Sequence, residues 1–416
     1  MTTPVAAPPD RRSAVGEQRV LPYAHQVVEG ADIEAVVRVL RSEWLTTGPE
    51  VERFEAEVGA YVGARYAVAF TSGTAALHAA VAAAGVGPGD EGITTPLTFC
   101  ATANCVLFVG ARPVFADVDD ATLTIDPQAI KGRITRKTKV VIPMDYGGHP
   151  ADVDAIHALA KRHGLLVIED ACHALGAEYR GRRVGSLSDI TVFSFHPVKQ
   201  ITTGEGGMAV TNDATLAKRL QRFRNHGVVR SARDQVRRPW YYEIIELGYN
   251  YRMPDILCAL GRSQLVRLAQ NLARRRTIAE RYTEAFSALP GIRTPCVKPD
   301  VVPAWHLYPI RVEASAIGLT RDELVRRLRQ GHIATSVHYI PLTRHPYYRE
   351  RFGFQAGDYP VAEGAFRQLI SLPLFHGMSD HDVEDVIEAM SRILALGHRH
   401  PRRSHHAALL AHGSAH

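Results

Sequence analysis

Nowhere in the 416 residues does an apolar run approach the roughly 20 needed to cross a bilayer, and the first twenty residues lack the apolar stretch of a secretory signal. Both absences favour a cytoplasmic protein. Cysteine is scarce as well. Cys100, Cys105, Cys172, Cys258 and Cys296 are odd in number, scattered through apolar or helical context, and never spaced as CxxC, which argues against a disulfide framework and against a zinc site. No metal is expected. The net charge of +6 comes with arginine clusters at 222–238, at 262–276 and in the tail, but no recognisable nucleic-acid reading module accompanies them. They read as solvated helix faces whose field favours an anionic substrate.

With 46% hydrophobic and 22% charged residues, the chain is ordinary for a globular enzyme, and its length favours two domains. Residues 1–20 lack periodicity, and the stretch from 398 to 416 is His- and Arg-rich; both ends are expected to be disordered, and the tail is given no function. Between them helical and strand patterns alternate, which predicts an α/β fold. Ile33, Val36, Val37 and Leu40 repeat at helical spacing, as do Val51, Phe54 and Val58, whereas VVIP (140–143) and LLVI (165–168) suit buried parallel strands. A helical stretch over 254–288 bridges a large domain (21–265) to a smaller C-terminal one (266–397). Thr320 and Glu323 have capping-box spacing, and Val383, Val386, Ile387, Met390 and Leu394 mark a last helix.

Four short segments carry the chemistry. VFSFHPVKQITTGEGG (192–207) sets one lysine, Lys199, among aromatic, proline and glycine residues after a strand; partial burial there would lower the affinity of its amine for a proton, as Schiff-base formation with an aldehyde requires. VIEDACHALGA (167–177) brings Glu169 and Asp170 to the carboxyl edge of a buried strand, where ligands of open α/β sheets bind. A protonated pyridine nitrogen would give Asp170 its partner. His173 would then reach the ring hydroxyl or stack on the ring. AVAFTSGTAALHAAV (67–81) reads as strand, tight turn and helix, with Gly73, Thr74 and Ala75 offering amides to a phosphate. Phe99, in ITTPLTFCATAN (93–104), would cover the face of a planar cofactor. Singly, each has a plainer reading: Asp170 as a helix cap, His173 and Phe99 as core, Lys199 as structural. Their conjunction at successive strand ends favours one site for pyridoxal 5'-phosphate.

The same segments, TSGTAAL, P-x-T-F-x-A-T-x-N, EDACHALGA, FSFHPVK with TTGEGG, and LGYNYRM with Asp255 beyond it, stand in one order over about residues 20–395. In this they resemble the DegT/StrS family of pyridoxal-phosphate-dependent sugar aminotransferases. The resemblance implies the aspartate-aminotransferase-like fold type I, with a large, mostly parallel sheet domain and a smaller α+β C-terminal domain. It implies that Lys199 carries the cofactor covalently, that Asp170 pairs with the pyridine nitrogen, that Phe99 stacks on the ring with His173 beside it, and that Ser194 joins Gly73 and Thr74 on the phosphate. Asn250 resembles the residue this family extends to the phosphate of a neighbouring subunit, so a homodimer is implied.

Within the family, Tyr23, EWLTTG (43–48), HLYPI (306–310), VHYIPL (337–342) and ISLPLF (370–375) are most similar to the aminotransferase of the pseudaminic-acid pathway, which acts on a UDP-linked 4-keto-6-deoxy-N-acetylhexosamine. That likeness makes Tyr23, Trp44, Leu45, Thr46, His338 and Tyr339 candidates for the sugar-nucleotide pocket, with glutamate as amino donor. A cyclitol or an antibiotic amino-sugar precursor is the alternative substrate. Sugar dehydratases of the family carry histidine where this chain has Lys199. A regulator that kept the fold without the chemistry would lack site residues that are present here. The segment RSARDQVRRPWYYE (230–243) has no counterpart in this pattern.

Overall fold

The computed structural model describes residues 19–231 and 236–399; the rest of the two ends expected to be disordered lies outside the described residues. Of the ends expected to be disordered, Arg19 pairs with Asp382 (3.1 Å), and the last helix, Asp380–Arg399, runs two residues into the expected tail.

Seven strands form the main sheet: β1 (Tyr66–Phe70), β2 (Glu91–Thr94), β3 (Arg112–Phe115), β4 (Thr138–Val141), β5 (Leu166–Asp170), then, after a short hairpin of β6 (Glu178–Tyr179) and β7 (Arg182–Arg183), β8 (Ile190–Ser194) and β9 (Gly207–Thr211). Their order is β1-β9-β8-β5-β4-β2-β3, parallel throughout except that β9 runs against both neighbours. Val140 and Val141 of VVIP fall in β4 and most of LLVI in β5, and apart from Lys139, which is exposed, and Leu166, which is partly buried, the residues of both strands are buried, as a parallel sheet under helices requires. Preceding β1 are helices α1 (Gly30–Leu40) and α2 (Pro49–Val62); α3 (Gly73–Ala83) follows β1, and α4 (Ala101–Phe108) follows β2. Proline in its first turn starts α2, and Gly63, at φ 76°, ends it in the left-handed conformation that glycine adopts without strain. Val51, Phe54 and Val58 face inward from α2 and build one side of the core.

Beyond α3 the chain adds a hairpin of β10 (Val228–Val229) and β11 (Glu243–Ile244), and β13 (Val301–Val302) extends the β6–β7 hairpin. A second sheet, β12 (Ile292–Arg293), β14 (Tyr308–Val312) and β15 (Leu369–Leu372), gathers a separate core. That core includes Val383, Val386, Met390 and Leu394 of the last helix. It also takes Leu21 from the N-terminal segment, which bridges to Ile333.

Three local expectations need correction. The helical stretch 254–288 is two helices, Asp255–Val266 and Leu268–Phe286, interrupted at Arg267 (φ −99°, ψ 2°), whose guanidinium reaches back to Asp32 on α1 at 2.8 Å. Helix α1 forms, but its buried positions are Asp32, Ala35 and Val39, while Ile33 and Leu40 are exposed. Asp32 turns inward because Ser263, Gln264 and Arg267 all donate to it. Thr320 accepts from the Glu323 amide (3.2 Å), but the reciprocal arm of the box is absent, because the Glu323 carboxylate pairs with Arg326 and Arg327 instead. No helix among the described residues is long and apolar enough to cross a membrane.

Candidate active site

The carboxyl ends of β1, β5 and β8 converge on a cavity of 460 Å³. Each end contributes a residue that the sequence singled out: Gly73 and Thr74 after β1, Asp170 at the last position of β5, Ser194 at the last position of β8. Parallel strands deliver these ends to one edge, which is why residues scattered over more than a hundred positions meet. Lys199 arrives by the turn His196–Pro197–Val198, closed by its own amide on the His196 carbonyl (2.9 Å). Tyr23, Phe99, His173, His338 and Tyr339 complete the predicted part of the wall.

The Lys199 amine makes no hydrogen bond or ion pair among the described residues, although its side chain opens to the cavity with protein on the other sides. Burial lowers its pKa from the ordinary lysine value, and the Arg275 guanidinium pushes the same way, while Cys172 and Asp170 oppose the shift. Asp170 is 3% exposed; its Oδ2 accepts from the Thr102 hydroxyl (2.7 Å) and its Oδ1 from the Cys172 amide (3.2 Å). A carboxylate held this way at a cavity edge fits a protonated ring nitrogen.

His173 is buried, and burial, reinforced by Lys199, holds its ring neutral. Its tautomer follows from its partners. The Gly147 amide can only donate, so Nδ1 accepts (3.3 Å), and the proton on Nε2 is donated to the Tyr339 hydroxyl (2.9 Å). Both ring nitrogens are thereby engaged. His173 therefore has no free ring nitrogen to offer a cofactor's ring hydroxyl. Burial raises the pKa of Tyr339, which keeps its O–H available as a donor. His306 packs on His173 with ring centroids 4.1 Å apart, and His338, whose pKa burial lowers to about 4, is fixed through Nδ1 to Ser371 (2.8 Å).

The end of α3 suits a phosphate. Ser72 caps it, accepting from the Ala75 amide (3.1 Å). This corrects one expectation: Ala75 spends its amide on the cap, which leaves the amides of Gly73 and Thr74 at the N-terminus. A Cβ on Gly73 would lie 3.0 Å from Ser194 Cβ and 3.2 Å from Cys172 Sγ, and one on Gly207 would lie 2.5 Å from the Ser72 carbonyl. The turn is thus packed so tightly that only glycine leaves room. Cavity, free amine, buried carboxylate and amide-lined turn together fit pyridoxal phosphate. Phe99 stands at the mouth, 55% exposed, with its ring 6.3 Å from that of Tyr339.

Four predicted residues do not reach this cavity within one chain. Trp44, Leu45 and Thr46 are exposed on a loop tethered elsewhere, with the Asp255 amide bonded to the Leu45 carbonyl (3.1 Å) and Trp44 lining a groove between α1, α2 and the helix Asp255–Val266. Asn250 is exposed and bridges to Asn225. Conversely, the wall includes Ser72, Cys172, His196, Glu205 and His306, which sequence reasoning left unassigned. A histidine beginning HLYPI was the available signal for His306, but its contact with His173 exists only once β14 meets the loop after β5.

The DegT/DnrJ/EryC1/StrS aminotransferase family matches residues 27–391. The spore coat polysaccharide biosynthesis protein SpsC of Bacillus subtilis is 46% identical over 377 residues, covering 90% of this chain and 97% of that protein. Among solved structures, a putative sugar aminotransferase of Streptococcus pneumoniae in its PMP form superposes with a TM-score of 0.86 at 33% identity, covering 90% of this chain and 99% of that one. PseC of Helicobacter pylori, an aminotransferase involved in the biosynthesis of pseudoaminic acid, superposes with a TM-score of 0.85 at 30% identity over 91% of this chain and 100% of its own. The chain therefore belongs to the DegT/DnrJ/EryC1/StrS family and is a pyridoxal-phosphate-dependent sugar aminotransferase.

Proposed function

We propose that the enzyme transfers the amino group of glutamate to a nucleotide-linked keto sugar of the UDP-4-keto-6-deoxy-N-acetylhexosamine type. The observation that carries this reading is the free Lys199 amine, opening onto a 460 Å³ cavity that also holds Asp170 and is walled by neutral histidines and Tyr339. Likeness to PseC supports the choice of sugar. Pyridoxal phosphate, when bound, supplies an electron sink for the carbon that gains or loses the amine. Lys199 would hold it covalently through Nζ, Asp170 would keep its ring nitrogen protonated, and Gly73, Thr74 and Ser194 would hold its phosphate. Phe99 and His173 would bracket the ring. Once the substrate's amine has displaced it from that covalent bond, the Lys199 amine, whose burial favours its neutral form, would take the proton from the donor's α-carbon and return one to the sugar carbon. His338 and Tyr339 orient the sugar by donating to its oxygens.

The reading includes a homodimer in the cytoplasm. Ile33, Leu40, Trp44, Leu45 and Val266 form exposed apolar surface that a second copy would cover, and Asn250 would then serve the partner's site. The test is to incubate the reconstituted enzyme with glutamate and a panel of UDP- and dTDP-linked keto sugars and cyclitols, measuring 2-oxoglutarate. Release with the UDP-linked 4-keto-6-deoxy-N-acetylhexosamine is expected; release only with a cyclitol or a dTDP sugar would replace this substrate.

A further inference from the structure

Behind Asp170 lies an acidic feature that amino transfer does not use. Glu169 precedes Asp170 on β5, so the pleat sends its side chain to the opposite face of the sheet, where it is 1% exposed. The Thr191 hydroxyl of β8 donates to its Oε2 (2.8 Å), while Oε1 has no partner. Asp145, fully buried, follows β4. Its Oδ1 accepts from the Ala151 amide (3.0 Å), and its Oδ2 has no partner. The bridge of Met144 to Asp170 and the bond of the Asp145 amide to the Asp170 carbonyl set Asp145 beside the end of β5, where burial and the Glu169 charge raise its pKa. Two ionised carboxylates can only accept, so neither can satisfy the other; one proton between them satisfies both. No Lys, Arg or His pairs with either group among the described ion pairs. The groups that face the pair are Asp170, whose charge adds to the repulsion at Asp145, the Thr191 hydroxyl, which bonds Glu169, and the nearby Ser188 hydroxyl; Cys172 lies within range of the Asp145 charge.

We propose that Asp145 and Glu169 share one proton as a positioning pair, locking the turn 145–151 against β5 and thereby setting the orientation of His173. The connections run through the backbone. Asp145 donates its amide to the Asp170 carbonyl (3.1 Å), and Asp170 donates its own to the Pro143 carbonyl (2.8 Å). The Asp145 carboxyl closes the turn on Ala151, and inside that turn Gly147, at φ +66°, presents its N–H to His173 Nδ1. Gly148, at φ +99°, passes so close that a Cβ would lie 2.9 Å from both the His173 carbonyl and the Trp305 amide. The turn is a wedge between His173 and the strand that delivers His306. Releasing the Asp145 carboxyl would loosen the wedge and, with it, the donor that fixes the His173 tautomer. Burial raises the pKa of both acids, so the shared proton is retained near neutrality. The proposal is independent of the sugar; its failure would leave the aminotransferase reading intact.

Infrared spectroscopy of the apoprotein near neutral pH tests the proton directly. The wild type should show the carbonyl band of a buried neutral carboxyl, and both Glu169→Gln and Asp145→Asn should abolish it, because each leaves one ionised acid facing an amide. No band, or one that survives both substitutions, overturns the proposal. The pH dependence supplies a second test. Acids whose pKa is raised by folding contribute most below their ordinary values and lose that contribution as pH rises toward the folded value. The unfolding constant of the wild type should therefore increase relative to Glu169→Gln by up to about tenfold per pH unit above the ordinary carboxylate range; parallel curves would refute the shared proton. For positioning, the ring ¹⁵N signals of His173 should be preserved in Glu169→Gln, whose amide still donates to Asp145, and shifted in Asp145→Ala. A folded Asp145→Ala with unchanged His173 signals refutes the positioning role. If that variant does not fold, displaced His173 signals in Glu169→Gln refute it, since the amide preserves the contact.

Discussion

Substituting Asp170 by asparagine should separate the fold from the cofactor chemistry. The carboxylate accepts at both oxygens, from Thr102 at Oδ2 and from the Cys172 amide at Oδ1. An amide can replace it without an orphaned group. Its oxygen takes the Cys172 bond, its NH₂ donates to Thr102 Oγ1, and the Thr102 hydroxyl turns to Thr98, 2.7 Å away, where either atom can be the donor. The stability cost should accordingly stay within about 1 kcal/mol, the net value of one hydrogen bond. What disappears is the charge. A hydrogen bond to an ionised partner is worth about 1.5–3 kcal/mol, so affinity for pyridoxal phosphate should fall roughly 10- to 150-fold, with a further loss in kcat because the ring nitrogen is no longer held protonated. Thermal unfolding of the apoprotein reads the first quantity, and cofactor titration followed by absorbance reads the second. A folded Asp170→Asn that binds cofactor as tightly as the wild type would refute the pairing. Marked destabilisation would refute the rearrangement through Thr102 and Thr98.

Other substitutions probe separate parts of the site. Tyr339→Phe removes the acceptor of the buried His173 Nε2–H, which should cost about 1–3 kcal/mol in thermal unfolding. It should also raise KM for the sugar more than it lowers the rate with glutamate. Gly207→Ala forces a Cβ to within 2.5 Å of the Ser72 carbonyl, so the phosphate turn must move; a stability loss of about 1–3 kcal/mol and weaker cofactor binding are expected by calorimetry and titration. Burial lowers the pKa of His338 from 6.5 to about 4, so folding favours its neutral form: its contribution is present above pH 6.5 and is lost as pH falls toward 4. His338→Gln should flatten the stability profile across that window, and an unchanged profile would contradict the burial argument.

How much of this was legible in the sequence depends on how local the determinant is. Asp170 and Ser194 close short apolar strands, and Gly73, Thr74 and Lys199 follow such strand ends within a few residues; a parallel sheet sends all such ends to one edge, so segment order sufficed to gather them. VVIP and LLVI were equally visible as short apolar runs, and the last helix through its helical periodicity. Contacts set by tertiary packing were hidden. Asp32 lies on the buried face of α1 because three donors on the helix Asp255–Val266 and at Arg267 await it, and no pattern within α1 announces them. Both nitrogens of His173 are spoken for by Gly147 and Tyr339, 26 and 166 residues away. Trp44, Leu45 and Thr46 entered through resemblance, and in a single chain the Asp255 tether holds their loop away from the cavity.

The central claim is that one lysine carries the cofactor. Pyridoxal phosphate should be added to the purified protein, the product reduced with borohydride, and the digest mapped by mass spectrometry. The account predicts a phosphopyridoxyl group on the peptide containing Lys199 and none in Lys199→Ala. A label confined to another lysine, such as Lys218 or Lys298, or no label on the folded wild type, would contradict it.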